Sequence, residues 1–292
     1  MTAATTAPKL QPNQIIDKKM PPASTPVAAG STAVFPVPAI WRFHMFSLSL
    51  TDLTVAQINE IRLIVNSKVI NRYSGTQRDA INQFYGLPAA NDEELLIPLD
   101  RVHMLSRLSM EQTALNCRIP YSDGSIINNI HIEVDIDAAA AATAKATLYA
   151  QVSLPKAWSP ELPQLINRVL PHVRSFETET EIADIAPFDG RSVEGMYMQA
   201  VHIPSASVTE VTLERDDGNV LFERTLARNN RLLSAGERNP QTNWFHIDPT
   251  EKGYGGNFIK VAGSSDFRFK VKSSATHTTP VIAEQLGLLG SR

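Results

Sequence analysis

Cysteine is almost missing from this chain. Its 292 residues contain one, Cys117, which excludes an internal disulfide framework and any multi-cysteine zinc site. Charge of one sign is missing too: 27 basic residues stand against 30 acidic ones, a net of −3. A dedicated nucleic-acid binder would carry a strongly basic face, so no direct nucleic-acid contact is expected. No apolar run approaches the length of a membrane span. The first residues lack the charged and apolar regions of a secretory signal. What remains is expected to be a soluble protein of a reducing compartment. Its length is about twice that of a typical domain, so two domains are expected.

Catalytic motifs are also lacking. The seven histidines (44, 103, 131, 172, 202, 246 and 277) are scattered, with no HxH or HExxH pair to hold a metal. There is no GxSxG elbow, and Gly253-Tyr254-Gly255-Gly256-Asn257 is not followed by the Lys-Ser/Thr of a phosphate loop. It reads as a flexible loop, and the chain reads as no enzyme. Cys117 reads as a small buried hydrophobe. Cofactors are expected to be none, with one opening for calcium. Asp135 with Asp137, and Asp216 with Asp217, are clustered carboxylates of the kind hard cations take. Strand alternation and turn chemistry account for the same pairs.

What is present is period two. Ile130, Ile132, Val134 and Ile136 alternate with polar residues, as do Leu148, Ala150, Val152 and Leu154, and Phe267, Phe269 and Val271. Such alternation marks strands with one buried face, and many short ones indicate antiparallel sandwiches. The apolar phase switches near Met45 and Phe46, which predicts a bulge or a strand changing sheets. Two short helices interrupt the strands. Thr76 with Asp79 predicts one N-terminus, with Gly86 as the left-handed stop; Thr225 and Gly236 bracket the other.

The pattern repeats. Glu60-Ile61-Arg62-Leu63 aligns with Glu210-Val211-Thr212-Leu213, 150 residues on. In each half a polar turn, a second strand, a helix and a third strand follow, ending in Leu99-Asp100 or Ile247-Asp248. Repeats at this period indicate two copies of a domain. The expected layout is an N-terminal arm over 1–40, a first sandwich over 41–155, a linker over 156–175 and a second sandwich over 176–292. Leu165, Ile166, Val169 and Leu170 predict a helix in the linker, with Trp158 as its anchor. The arm holds seven of the nineteen prolines and too little apolar surface to order itself. Its Lys9, Lys18 and Lys19, beside Met20, could touch anionic headgroups or a neighbouring subunit.

Several local stretches, in their order along the chain, resemble a known family. They are Leu53-Thr54-Val55-Ala56-Gln57-Ile58-Asn59-Glu60-Ile61-Arg62, Ile132 to Ala140, Thr180-Glu181-Ile182-Ala183-Asp184-Ile185, Ala200-Val201-His202-Ile203, and Glu284-Gln285-Leu286-Gly287. The layout resembles the double jelly-roll major capsid proteins of membrane-containing icosahedral viruses, most closely the corticovirus type. The long Pro-rich arm departs from that pattern. The resemblance implies a mainly β fold of two tandem eight-stranded jelly rolls with short helices in loops and an extended arm. It implies a homotrimer forming a pseudo-hexameric capsomer in a shell over an internal membrane. Its partners would be neighbouring capsomers and minor capsid or vertex proteins. Its location would be the virion, after synthesis in the host cytoplasm. A carbohydrate- or receptor-binding β-sandwich, spike-like or lectin-like, is the alternative reading.

Overall fold

The structure, a computed structural model, describes residues 14–157, 164–182, 197–216, 218–261 and 267–288. Leaving aside the two-residue strands Leu115–Asn116 and Ile259–Lys260, eight strands build the first half: β1 (Ile16–Lys19), β2 (Thr32–Val37), β3 (Arg42–Thr51), β4 (Ile58–Val65), β5 (Lys68–Tyr73), β6 (Glu94–Pro98), β7 (Ile130–Ile136) and β8 (Lys145–Ser153). Eight more build the second: β9 (Ile166–Phe176), β10 (Glu179–Ile182), β11 (Tyr197–Ile203), β12 (Val208–Arg215), β13 (Asn219–Thr225), β14 (Phe245–Ile247), β15 (Phe267–Ser273) and β16 (His277–Gly287). Helices α1 (Gly75–Phe84) and α3 (Leu226–Ala235) occupy equivalent places, after β5 and after β13. A one-turn helix, α2 (Arg107–Glu111), sits in the long loop after β6.

Hydrogen bonding orders the first half into two sheets, β1-β8-β3-β6 and β2-β7-β4-β5. The second half has β9-β16-β11-β14 and β10-β15-β12-β13. Adding eight to each first-half label gives the second-half order without exception. Each half is therefore an eight-stranded antiparallel jelly roll of two four-stranded sheets, and the repeat read from the sequence is a duplication of topology. The rolls are joined edge to edge. β5 meets β9 in parallel at Asn71 and Val169, and the Val169 N–H donates to Asn71 Oδ1 at 3.1 Å. Two of the four sheets thus run on as one.

Each roll has its own core. In the first, Phe35, Phe46, Leu48, Ile61, Leu63, Ile132, Val134 and Leu148 interlock, with Cys117 fully buried among them. The second is built on Met198, Val201, Val211, Leu213, Phe245, Phe269 and Val271. The predicted bulge in β3 lies where its register with β8 shifts, between Phe43 and Met45.

The helix caps differ in detail from the sequence reading. Ser74, not Thr76, caps α1: its Oγ accepts the Gln77 N–H at 3.2 Å, and Gln77 Oε1 accepts the Ser74 N–H. Asp79 instead accepts the Ala90 N–H at 2.8 Å and pins the following loop. Gly86 takes a φ of +80°, as a left-handed stop requires. Gly236 does not; its φ is −95°. The glycine is needed there because a Cβ would lie 2.3 Å from the Glu251 carbonyl oxygen.

Two further expectations are corrected. Residues 16–37 are not a free arm. β1 pairs with β8 and β2 with β7, so this segment supplies two of the first roll's eight strands. Its apolar residues have a place to go: Met20 is buried in the first core, with Ile16 and Val27 packed against it. The predicted linker helix is, where described, strand β9. Its Ile166 and Val169 join the first core, while Phe176 joins the second. A strand wedged between two cores carries apolar residues on both faces, so no period of two survives to mark it. Trp158 lies outside the described residues.

Candidate assembly surfaces

Among the described residues no group of three or more His, Cys, Asp or Glu able to hold a metal occurs. Asp135 Oδ1 accepts from Thr32 Oγ1 at 2.6 Å and from Arg62 Nη2 at 3.1 Å. Asp137 accepts the Ala139 N–H at 2.7 Å within its turn. Asp216 sits 3.3 Å from Arg215 Nε, and Asp217 lies outside the described residues. Asp135 is thus engaged by Thr32 and Arg62, and Asp137 by its own turn. Of the arm residues, Lys18 lies over the Trp41 ring at 4.7 Å, Met20 is buried, Lys19 is exposed on β1, and Lys9 is outside the described residues. Met20 is therefore core and cannot serve an outside partner.

The chemistry-bearing residues gather instead where the rolls meet. In sheet β9-β16-β11-β14, one face carries Met198, Val201, Val281 and Ala283 into the second core. The other face carries Gln199, His202 and Glu284, all at most 1% exposed. The C-terminal end of α1 lies on that face. Phe84 stacks on His246 at 4.1 Å and meets His202 edge-on at 5.3 Å. Tyr85 donates to Glu284 Oε2 at 3.1 Å, and Gln199 Nε2 donates to the same oxygen at 2.8 Å. His202 Nε2 is 3.3 Å from Glu284 Oε1, and the two Nδ1 atoms of His202 and His246 are 2.8 Å apart. The Gln241 N–H donates to His246 Nε2 at 3.4 Å. One proton arrangement satisfies all three contacts: His246 donates to His202, His202 donates to Glu284, and both rings are neutral.

The electrostatics of the seam follow from its burial. Desolvation, with Arg238 and Arg101 nearby, pushes His103 well below the usual imidazole value. His246 is lowered likewise, chiefly by burial. Burial, with the Glu284 and Asp248 charges, raises Tyr85 well above the phenol range. Glu284 loses hydration, yet the hydrogen bond from His202, the Arg78 charge and the bond from Tyr85 hold it below the usual carboxylate value. Burial brings Arg101 down to about 10. Arg238 grips Asp248 at 2.7 Å in an ion pair almost closed to solvent. The first-roll counterpart of that aspartate, Asp100, is held by His44 at 2.8 Å. The repeated Leu-Asp and Ile-Asp pairs at the two strand ends are thus buried anchors. No local spacing could have exposed the seam, because Tyr85 and Glu284 are 199 residues apart.

Open surfaces among the described residues include these. Sheet β1-β8-β3-β6 presents a groove of ≈ 510 Å³ on its outer face, lined by Asp17, Ser47, Ser49, Glu94, Tyr149 and Gln151 among others. At the loop end of the seam, Leu105, Leu108 and Tyr254 are 67%, 46% and 57% exposed. The glycine-rich stretch beside them is a seam contact as well as a loop. The Leu105 N–H donates to the Gly253 carbonyl at 3.1 Å, and Arg101 Nη1 donates to the Gly255 carbonyl at 3.1 Å.

Known proteins share this architecture. The crystal structure of the major capsid protein P2 from bacteriophage PM2 is similar with a TM-score of 0.82 at 20% identity, over 95% of this chain and 98% of that one. A chain from the atomic structure of Sulfolobus Turreted Icosahedral Virus gives a TM-score of 0.62 at 11% identity, over 95% and 92%. The Faustovirus major capsid protein gives 0.60 at 8% identity, over 99% and 92%. At such identities the likeness establishes the fold. No curated protein matches the chain in sequence. The family models settle the rest: the N-terminal domain of viral coat protein P2 matches residues 17–153, and its C-terminal domain matches 166–289. Covered almost from end to end by those two domains, the chain belongs to the viral coat protein P2 family and is a coat protein of the virion's capsid shell.

Proposed function

We propose that three copies of this coat protein form a pseudo-hexameric capsomer, six jelly rolls about one axis, and that such capsomers tile an icosahedral shell. The observation that carries this is the strand-for-strand identity of order in the two rolls. Two like rolls in one chain let a threefold assembly fill a sixfold lattice site with nearly equivalent contacts. Its work is then self-assembly, with no chemical step. Neighbouring capsomers and minor capsid or vertex proteins are its partners, and the resemblance to coat proteins of membrane-containing viruses supports a membrane beneath the shell. Light scattering of the purified full chain tests the capsomer. A mass of three chains, stable on dilution through the micromolar range, is expected; a single-chain mass across that range refutes it. Obligate interfaces of this kind bury on the order of 2,000–5,000 Å².

A further inference from the structure

We infer that the groove on the outer face of β1-β8-β3-β6 is the docking site for α3 from a second copy of this chain. The inference rests on the trimer reading and adds which surfaces meet. Its evidence is an occupied counterpart inside the chain. The equivalent sheet of the second roll, β9-β16-β11-β14, has its outer face covered by the end of α1, through Phe84 on His246 and Tyr85 on Glu284. In a near-sixfold ring, the step from the second roll of one chain to the first roll of the next repeats the step between rolls within a chain. That step carries α1 onto α3, and carries the covered sheet onto the neighbour's β1-β8-β3-β6.

Burial on each side matches an interface still open in the single chain. Both helices are ten residues long, but α1 buries Gly75, Arg78, Ile81, Asn82 and Phe84, while α3 buries only Asn229 and Leu233. Strand β16 is buried without a break from Val281 to Gly287, on both faces. Its counterpart β8 alternates through Leu148–Val152, with Tyr149 and Gln151 half-buried toward the groove. The charges also match. The groove offers Asp17 and Glu94, both exposed. The open face of α3 offers Arg228 and Arg231, also exposed. Within the chain, the covered face uses the same pairing of signs, Arg78 of α1 acting on Glu284.

The test is sedimentation equilibrium on the full chain and three variants: Arg228→Glu with Arg231→Glu, Asp17→Lys with Glu94→Lys, and all four together. All four sites are exposed, so circular dichroism and melting should match the wild type. Each paired variant is expected to weaken self-association at least about tenfold, more so at low salt, and the fourfold variant to restore it. Trimers unchanged by both pairs, or association that the four substitutions together fail to restore, would overturn the docking site while leaving the trimer standing. A wild-type chain that never associates would instead remove the trimer, and the docking site with it.

Discussion

Acid should loosen the seam between the rolls. The perturbation is a drop from pH 7 to pH 5. In the folded chain His246 is an acceptor at Nε2 and a donor at Nδ1, and neither ring nitrogen of His103 is accessible or hydrogen-bonded. Both rings are held well below the ordinary value of 6.5, mainly by burial. The unfolded chain therefore binds more protons than the folded one once the pH falls below that value. Stability is full above it and is lost on acidification. For each ring that stays neutral in the fold, the loss between pH 7 and pH 5 is about 2 kcal/mol, so about 4 kcal/mol for the two. That is a large share of the 5–15 kcal/mol typical of folded domains. Urea unfolding at pH 5, 6 and 7, in the wild type and in His103→Phe, measures it. Phenylalanine keeps the ring stack on Tyr85, now at 3.8 Å, but cannot titrate. The difference between the two chains should shrink by about 2 kcal/mol from pH 7 to pH 5, in favour of the variant. A pH-independent difference would refute the reasoning, because it would mean that His103 carries the same charge folded and unfolded.

Other outcomes follow from single contacts. Phe84→Ala removes a fully buried ring from between the rolls and should cost about 3–5 kcal/mol in denaturant unfolding. Gly236→Ala drives a Cβ against the Glu251 carbonyl; a loss of more than about 2 kcal/mol is expected, against about 1 kcal/mol for Gly86→Ala, where only the positive φ opposes the side chain. Glu111, despite its burial, is brought down to about 2 by its bonds to Arg107 and Arg42. Its contribution should persist above the unfolded value of 4.5 and fade as the pH drops toward 2. Glu111→Gln should abolish that part of the acid transition and, by removing the carboxylate paired with the buried Arg42 guanidinium, cost about 3–5 kcal/mol at pH 7.

Strands were legible wherever one face of a sheet is wet. β7 and β15 alternate cleanly because their outward residues, such as Glu133 and Lys270, stand in ion-paired polar faces. The same rule explains the misreading of β9. Held between two cores, it spaces Ile166 and Val169 in a way that mimics a helix stripe. The repeat was legible because β4 and β12 have equal length and lie 150 residues apart, at 58–65 and 208–215. The seam was not. His103, His202 and His246 looked scattered because only the folded topology brings their strands and loops beneath one helix end. The arm was misjudged for a related reason: β1 and β2 are too short and too rich in proline and lysine to announce themselves without the partner strands that complete them.

Every open-ended sheet offers its neighbours a template for uncontrolled growth, which is a hazard for a molecule produced in order to crowd together. The single joint at Asn71 and Val169 closes two such borders. Of those that remain, four carry deterrents: Pro36 within β2, the charged run Asp17-Lys18-Lys19 along β1, Glu223 and Arg224 on β13, and a mere three residues in β14. A chain guarded in this way resists fusing strand to strand into amorphous fibres. Copies are left to recognise one another by shape and charge across their faces, which is a reversible contact, and reversibility is what allows a growing shell to eject a misplaced tile.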